Sequence, residues 1–203
     1  MTDARRSKLF STANLTRMAI LTAIALVLFF LEIPIIPPMY KLDFSNIPVL
    51  LGGFAMGPVA GLIILLLKNV LELIIKGLGS TMGIGNLADF LTGAAYLLPA
   101  ALIYRQRKTK QRAMIGMGVG VVSQTVLAIL FNWLVMIPFY MSAYHMDIAK
   151  IVGYATKVLP FVDTELKFYL LACGPFNLVK GLAVSLVTAL IYKPLSPLLK
   201  GKR

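Results

Sequence analysis

The chain alternates between long apolar runs and short polar segments. The apolar runs cover Thr12–Leu31, Ile47–Met56, Val59–Ile75, Ala88–Tyr104, Met114–Tyr140 and Phe168–Tyr192. A helix that crosses the hydrocarbon core of a bilayer needs about 20 mostly apolar residues. The pattern therefore predicts an all-α integral membrane protein with six transmembrane helices, folded as a single domain over residues 1–203.

The second and third runs are separated only by Gly57 and Pro58. If they formed one helix from Ile47 to Ile75, that helix would be about 44 Å long at 1.5 Å per residue. This length exceeds the roughly 30 Å hydrocarbon core. Two separate helices are therefore favoured.

The distribution of basic residues provides an independent indication of topology. Lys and Arg concentrate in three clusters, which are Arg5, Arg6, Lys8 and Arg17; Arg105, Arg107, Lys108, Lys110 and Arg112; and Lys193, Lys200, Lys202 and Arg203. Cytoplasmic loops of membrane proteins collect basic residues. Six helices place all three clusters in the cytoplasm, whereas fusing the second and third would force one cluster outside. Both termini are predicted to be cytoplasmic.

Composition excludes several function classes. Hydrophobic residues make up 59% of the chain and charged residues 14%, with a mean hydropathy of +0.84. The net charge of +12 resides in clusters beside apolar runs, which is typical of membrane topology rather than of nucleic-acid binding. Cys173 and His145 are the only Cys and His, so no Cys/His metal cage can form. No nucleic-acid partner, metal or catalytic cofactor is expected.

Three connections are predicted to lie outside the cell, at residues 33–46, 76–87 and 141–167. The first is rich in Pro and the second in Gly, and both residue types permit defined irregular backbone. These loops are either a lid over a binding site or ordinary connecting turns. Residue types alone leave both interpretations open.

Polar residues inside the apolar runs are the candidates for ligand contacts. Asn177 and Lys180 are three residues apart, so they share one face of the last helix. Asn132 lies at membrane depth in the fifth helix, with Gln124 on a neighbouring part of its surface. Such groups either bind a ligand or form hydrogen bonds between helices.

Two further patterns have a structural and a functional interpretation. Lys68, Glu72 and Lys76 follow i, i+4 spacing, which predicts a charge ladder with a structural role. Ala19 and Ala23 form a small face on the first helix, to which Ala25 adds a further small residue. This face permits close approach of a neighbouring helix, either inside the protein or from a partner.

The common enzyme signatures are missing from the sequence. We find no Gly-x-x-x-x-Gly-Lys-Ser/Thr phosphate loop, His-Glu-x-x-His or Gly-x-Ser-x-Gly pattern. The chain is therefore predicted not to be an enzyme and to rely on partner proteins for energy. A small intramembrane lipid-modifying enzyme and an assembly subunit without a ligand are the alternatives.

Three strings carry a resemblance to a known family: residues 41–61 (KLDFSNIPVLLGGFAMGPVAG), 83–90 (GIGNLADF) and 175–181 (PFNLVKG). They resemble the riboflavin-specific substrate-binding (S) component of energy-coupling factor (ECF) transporters. The resemblance implies a six-helix protein of the bacterial cell membrane that binds riboflavin beneath the loop joining its first two helices. It also implies a transmembrane coupling protein and two cytoplasmic ATPases as partners. A related S component for another vitamin is the alternative, and binding of flavin mononucleotide (FMN) stays open.

The resemblance also implies functional roles for individual residues. It implies ligand contacts at Leu42, Asp43, Phe44, Thr81, Asn86, Asp89, Asn132, Asn177 and Lys180, and a docking face for the coupling protein at Ala19 and Ala23. The chain departs from the family pattern at three positions. An acid is expected where Asn46 stands, and Glu and Asn are expected where Asn86 and Asp89 stand.

Overall fold

The computed structural model describes residues 9–37, 39–78 and 82–200, with side chains up to residue 195. Its described elements are α1 (Thr12–Phe30), β1 (Ile33–Ile36), β2 (Tyr40–Leu42), α2 (Asn46–Met56), α3 (Pro58–Lys76), α4 (Ile84–Gln106), α5 (Lys110–Tyr144), α6 (Ile148–Thr156) and α7 (Glu165–Lys167, Phe168–Cys173 and Gly174–Lys200). Five of these helices, α1, α3, α4, α5 and α7, are long and apolar enough to cross a membrane. The fold is thus mostly helical, as predicted.

The second and third apolar runs form separate helices. Gly57 adopts φ 105° and ψ 167°, a conformation that is accessible to glycine and strained for other residues. Pro58 then occupies the first turn of α3, where its missing N–H costs nothing. Because α2 and α3 pack against each other, the chain reverses at Gly57, and a single fused helix is ruled out.

Helix α2 lies at the centre of the bundle. It contacts α1, α3, α4 and α7, and every residue from Asn46 to Phe54 is buried. With 11 residues it is about 16 Å long, which is shorter than the hydrocarbon core. Its apolar composition thus reflects burial among neighbouring helices.

The predicted outer loops contain more secondary structure than the sequence indicated. Residues 33–42 form an antiparallel hairpin in which Ile33 pairs with Leu42 and Ile36 with Tyr40. Helix α6 lies within the predicted loop 141–167 and buries Ile151, Val152 and Ala155. The all-α prediction is therefore corrected by one two-stranded sheet. Both additions pack on the same cluster of apolar side chains as the first part of α7.

The two ends of the bundle differ in character. One end, termed the hairpin end, carries β1, β2, α6 and the beginnings of α4 and α7. The other, termed the basic end, brings Asn14, Gly57, Arg105 and Lys108 around one cleft. Between the ends, large apolar side chains such as Leu66, Val122 and Leu186 are exposed, as expected for a surface that faces lipid.

Helices α4 and α5 approach closely because α5 carries two glycines at the contact. A Cβ on Gly120 would lie 2.5 Å from the carbonyl oxygen of Tyr96, and one on Gly116 would lie 2.8 Å from that of Ala100. Tyr96 cannot easily move, since its hydroxyl contacts Ser185 and the carbonyl of residue 181. This Gly-x-x-x-Gly face belongs to the internal packing of the bundle.

We expect Gly120→Ala to destabilise the protein by about 1–3 kcal/mol, because the added methyl group overpacks the α4–α5 contact. Gly118 provides the matched control, since it is exposed on the same helix and a Cβ there would meet nothing within 4 Å. Gly118→Ala should leave the protein as stable or slightly more stable, because Ala favours helix. Thermal unfolding of both variants in detergent measures the difference. Equal unfolding temperatures would contradict this account of the contact.

Candidate functional site

A cavity opens at the hairpin end of the bundle. It has a volume of about 530 Å³ and is lined by the hairpin and by residues of α1, α3, α4, α5 and α7. Pockets that bind small molecules typically have volumes of about 300–1,000 Å³. The cavity is therefore large enough for a small organic ligand.

Most of the predicted ligand-contact residues meet at this cavity. Those that line it are Asp43, Asn86, Asp89, Asn132, Asn177 and Lys180. Among the described residues, Leu42 and Phe44 are not part of the lining. Leu42 is half-buried in β2 opposite Ile33, and Phe44 lies in an apolar groove between α1, α2 and α7. Thr81 lies outside the described residues.

Asp43 and Lys180 form a buried ion pair that joins the end of the hairpin to α7. The Nζ of Lys180 lies 2.6 Å from Oδ2 of Asp43. The other carboxylate oxygen of Asp43 accepts hydrogen bonds from the backbone N–H of Ser45, at 2.9 Å, and from its hydroxyl. Both oxygens of Asp43 are thus engaged, and the chain after β2 is held against α7.

Charge and burial act in opposite directions on Asp43. Burial by itself would raise the pKa of this carboxyl, but the positive charges of Lys180 and Lys68 and the hydrogen bonds from Lys180 and Ser45 lower it to about 2. A carboxyl whose pKa is lowered by folding stabilises the protein above its ordinary pKa and loses that contribution as the pH falls. Asp43 therefore stays ionised and paired throughout the neutral range.

A second buried ion pair continues this network into α3 and α4. The Lys68 side chain is 0% exposed, and its Nζ lies 2.6 Å from Oδ2 of Asp89 and 3.1 Å from Oγ of Ser45. Asn69 also donates to Oδ2 of Asp89, at 3.1 Å. Since buried charges require partners, Lys68 fixes the position of Asp89 in the cavity wall and of the segment that carries Asp43.

The predicted amides Asn132 and Asn177 adjoin two stretches of π-helix. Asn132 begins the π-helical segment Asn132–Met136, and the segment Phe168–Cys173 ends four residues before Asn177. Each segment closely precedes a proline, Pro138 or Pro175, whose missing N–H interrupts the regular α-helical bonding. Such π-bulges are frequent at functional sites.

Hydrogen bonds to the backbone orient both amides. Nδ2 of Asn132 donates to the carbonyl of Ala128 at 2.9 Å, and Nδ2 of Asn177 donates to that of Cys173 at 2.9 Å. The Oδ1 of Asn132 accepts from the Tyr40 hydroxyl at 3.2 Å. These bonds hold the amides in place on the cavity wall before any ligand binds.

Aromatic side chains form an apolar wall that the sequence analysis did not assign to the site. The ring centroid of Tyr40 lies 4.9 Å from that of Phe176 and 6.0 Å from that of Phe168, and all three rings line the cavity. Aromatic rings at these separations pack favourably against other flat rings. Phe176 stands beside the predicted Asn177 and was the available signal, whereas Tyr40 and Phe168 adjoin no predicted contact in the sequence.

The charge ladder predicted along α3 is not formed. Within the described residues, Lys68 pairs with Asp89, and Lys76 lies 3.5 Å from Glu32. Glu32 also pairs with Lys41 of the hairpin at 2.6 Å. Glu72 instead lies on the cavity wall. The i, i+4 spacing on α3 was visible in the sequence, whereas the partners on other elements were not.

The predicted docking face of α1 is exposed. Ala19 and Ala23 both point away from the bundle, while Met18, Leu21 and Thr22 are buried. Ala25 is buried as well and is not part of this face. The two exposed alanines leave a shallow strip on which another helix can pack closely.

The chemical groups of the cavity indicate the kind of ligand that it can hold. In the part of the chain that the structure describes, no three His, Cys, Asp or Glu side chains come together in a way that could hold a metal ion. The cavity combines charged and amide groups with an aromatic wall, the pattern of a site for a small organic molecule.

Comparison with known proteins identifies the family. The family described as "ECF transporter, substrate-specific component" matches residues 13–192. The riboflavin transporter RibU of Staphylococcus aureus (strain TCH60) is 33% identical, covering 98% of this chain and 99% of that protein. The riboflavin transporter FmnP of Bacillus subtilis (strain 168) is 28% identical, covering 94% and 95%.

A solved structure agrees with this assignment. It is described as the structure and mechanism of the S component of a bacterial ECF transporter, and it matches with a TM-score of 0.68 and 32% identity, covering 92% of this chain and 96% of that chain. The family consists of transporter components that bind substrate, not of enzymes. This chain therefore belongs to the family of substrate-specific S components of ECF transporters.

Proposed function

We propose that this chain is the riboflavin-binding S component of an ECF vitamin importer and that it binds riboflavin with high affinity in the cavity at the hairpin end. The observation that carries this proposal is the composition of the cavity, in which an aromatic wall faces amides and charged groups. The names of the relatives in Staphylococcus and Bacillus support riboflavin as the ligand.

The chemistry of riboflavin suits this cavity. Its isoalloxazine ring is flat and largely apolar, and it packs against the wall of Tyr40, Phe168 and Phe176. Its carbonyl groups and ribityl hydroxyls need a few hydrogen-bonding partners. The polar predicted contacts in the cavity lining provide them, and these are Asp43, Asn86, Asp89, Asn132, Asn177 and Lys180. A pocket with apolar walls and a few placed polar groups is the usual design for such ligands.

The predicted contacts outside the lining are Leu42, Phe44 and Thr81, of which Leu42 belongs to the hairpin that borders the cavity. Leu42 and Phe44 flank Asp43, whose side chain lines the cavity, and this neighbourhood supports their proposed role at the cavity mouth. Thr81 precedes α4, which carries Asn86 and Asp89 in the wall. In this arrangement the hairpin acts as the outer cover of the site.

The proposed topology has six crossings, with α2 as the short second one and both termini in the cytoplasm of a bacterial cell. The reversal at Gly57 supports it, because it returns the chain after α2. The basic end supports it as well, since Arg105 and Lys108 share a cleft with Asn14 near the first basic cluster. The hairpin end, and with it the cavity, then faces outward.

Transport requires partners. We assign the energy for import to a transmembrane coupling protein and two cytoplasmic ATPases, because the sequence lacks a phosphate loop. The exposed face of Ala19 and Ala23 is the proposed docking site for the coupling protein. Family membership implies such a module.

Riboflavin titration tests the proposed ligand directly. Purified protein in detergent is expected to quench riboflavin fluorescence with saturable, one-to-one stoichiometry, because the ring becomes stacked on aromatic side chains. Thiamine and biotin serve as control ligands and should not compete, whereas FMN is added as a competitor to learn whether the phosphate is tolerated. Saturable binding of another vitamin, with no quenching of riboflavin, would contradict the assignment of riboflavin.

A further inference from the structure

Among the residues that the structure describes, two polar groups on the cavity wall have no hydrogen-bond partner. They are Oε2 of Glu72, near the end of α3, and Nδ2 of Asn86, in the first turn of α4. Both atoms are buried, and both residues line the cavity. The Glu72 oxygen is a hydrogen-bond acceptor and the Asn86 nitrogen is a donor, so the wall presents one free acceptor and one free donor.

The neighbouring cations do not satisfy Glu72. Lys68 is engaged by Asp89 at 2.6 Å and Lys76 by Glu32 at 3.5 Å. Asp89 adds negative charge near Glu72. Glu72 thus differs from Glu32, the other glutamate of the cavity, whose carboxylate is paired with both Lys41 and Lys76.

A buried donor and a buried acceptor without partners are costly to the fold. Packing does not explain these two, since apolar side chains would serve equally well at a wall that only fills space. A ligand that brings a donor and an acceptor on one edge would satisfy both at once. Glu72 and Asn86 lie side by side across α3 and α4 without forming a hydrogen bond of normal geometry, so one small edge can reach both.

We propose that Glu72 and Asn86 recognise the imide edge of the ligand's ring. This inference rests on the proposed function. The pyrimidine part of the isoalloxazine ring carries the N3–H donor between two carbonyl acceptors. Glu72 accepts the hydrogen bond from N3–H, and Nδ2 of Asn86 donates to one adjacent carbonyl. Glu72 is thereby a specificity-determining residue for the orientation of the ring.

The ligand 3-methylriboflavin, in which a methyl group replaces the N3 hydrogen, provides the test. The wild-type protein is expected to bind it about 10- to 100-fold more weakly than riboflavin, since a buried hydrogen bond is lost and the acceptor is left without a partner. In Glu72→Leu this preference should disappear, because the acceptor is gone while an apolar side chain of similar size remains. Glu72→Gln keeps an acceptor oxygen and should retain much of the preference.

Glu32→Leu is the matched control, because it removes a carboxylate that is already paired. It should keep the full preference for riboflavin over 3-methylriboflavin. Fluorescence titrations of the four proteins with both flavins give the ratios directly. The comparison within each protein cancels any general loss of affinity, so a purely structural effect of a substitution would leave the ratio unchanged.

The outcomes separate this inference from the function on which it rests. If the wild-type protein binds both flavins equally well, or if Glu72→Leu keeps the preference, the role of Glu72 is overturned while riboflavin binding stands. The same holds if Glu32→Leu loses the preference as completely as Glu72→Leu. If the monodisperse wild-type protein binds neither flavin, the proposed function fails, and the inference fails with it.

Discussion

Replacing Lys68 by Met is expected to destabilise the protein by about 3 kcal/mol, a large effect for one substitution. Met has a similar length but no charge, so that, within the described part of the chain, the Asp89 carboxylate on the cavity wall keeps the hydrogen bond from Asn69 alone. The hydroxyl of Ser45 also loses its donor. For a chain of this size the loss corresponds to a fall in unfolding temperature on the order of 10 °C, measurable by thermal unfolding in detergent.

Lys41→Met is the matched control for this experiment. Lys41 forms an ion pair of the same length, 2.6 Å, with Glu32, but its side chain is 43% exposed. Exposed ion pairs contribute about 0–1 kcal/mol, so this substitution should have little effect. A rescue variant strengthens the test, because Lys68→Met combined with Asp89→Asn removes the uncompensated charge and should be more stable than Lys68→Met alone. Equal unfolding temperatures for Lys68→Met and Lys41→Met would contradict the role of the buried network.

The importance of Lys68 illustrates what the sequence could not reveal. The sequence analysis noted Lys68 for its spacing to Glu72 and Lys76, which suggested partners on the same helix. The actual partners are Ser45 and Asp89, 23 and 21 residues away along the chain. Local periodicity reveals neighbours within a helix, whereas ion pairs between helices depend on how the bundle packs.

The polar candidates on the later helices were predictable for a physical reason. An amide or a charge at membrane depth is costly unless it has a partner or lines a cavity, so Asn132, Asn177 and Lys180 stood out from their apolar surroundings. All three line the cavity in the structure. Their partners on other elements were hidden, because Tyr40 is 92 residues from Asn132 and Asp43 is 137 residues from Lys180 along the chain.

The hairpin and α6 were missed because their signals are weak. Two prolines between short apolar stretches suggested irregular chain, although Ile33 and Ile36 are β-branched and favour a strand. In α6 the buried positions Ile151, Val152 and Ala155 follow helical spacing, but the segment is too short to register as a membrane helix. Both elements are stabilised mainly by tertiary packing at the hairpin end.

The sequence analysis noted one small-residue spacing and did not note a second. The sequence drew attention to Ala19 and Ala23, which the structure leaves exposed on α1. The internal close contact is made instead by Gly116 and Gly120 of α5. A small-residue spacing indicates that a helix can be approached closely, but only the fold shows whether the approaching helix belongs to the same chain.

Replacing both Ala19 and Ala23 by Leu is expected to reduce riboflavin uptake to background while leaving riboflavin binding within about twofold of wild type. The two leucines fill the shallow strip on α1 and keep the helix of the coupling protein at a distance. Neither alanine lines the cavity among the described residues, so the binding site is undisturbed. Uptake is measured in cells that cannot make riboflavin and that also express the coupling protein and ATPases.

Gly118→Leu is the matched control for the docking experiment. It places the same bulk on an exposed position of α5, where a Cβ meets nothing within 4 Å, and it should support normal uptake. Co-purification of each variant with the coupling protein separates lost docking from a later defect, because only the alanine double variant should fail to co-purify. If that variant co-purifies and transports normally, Ala19 and Ala23 face lipid alone, and the coupling protein must dock on another side of the bundle.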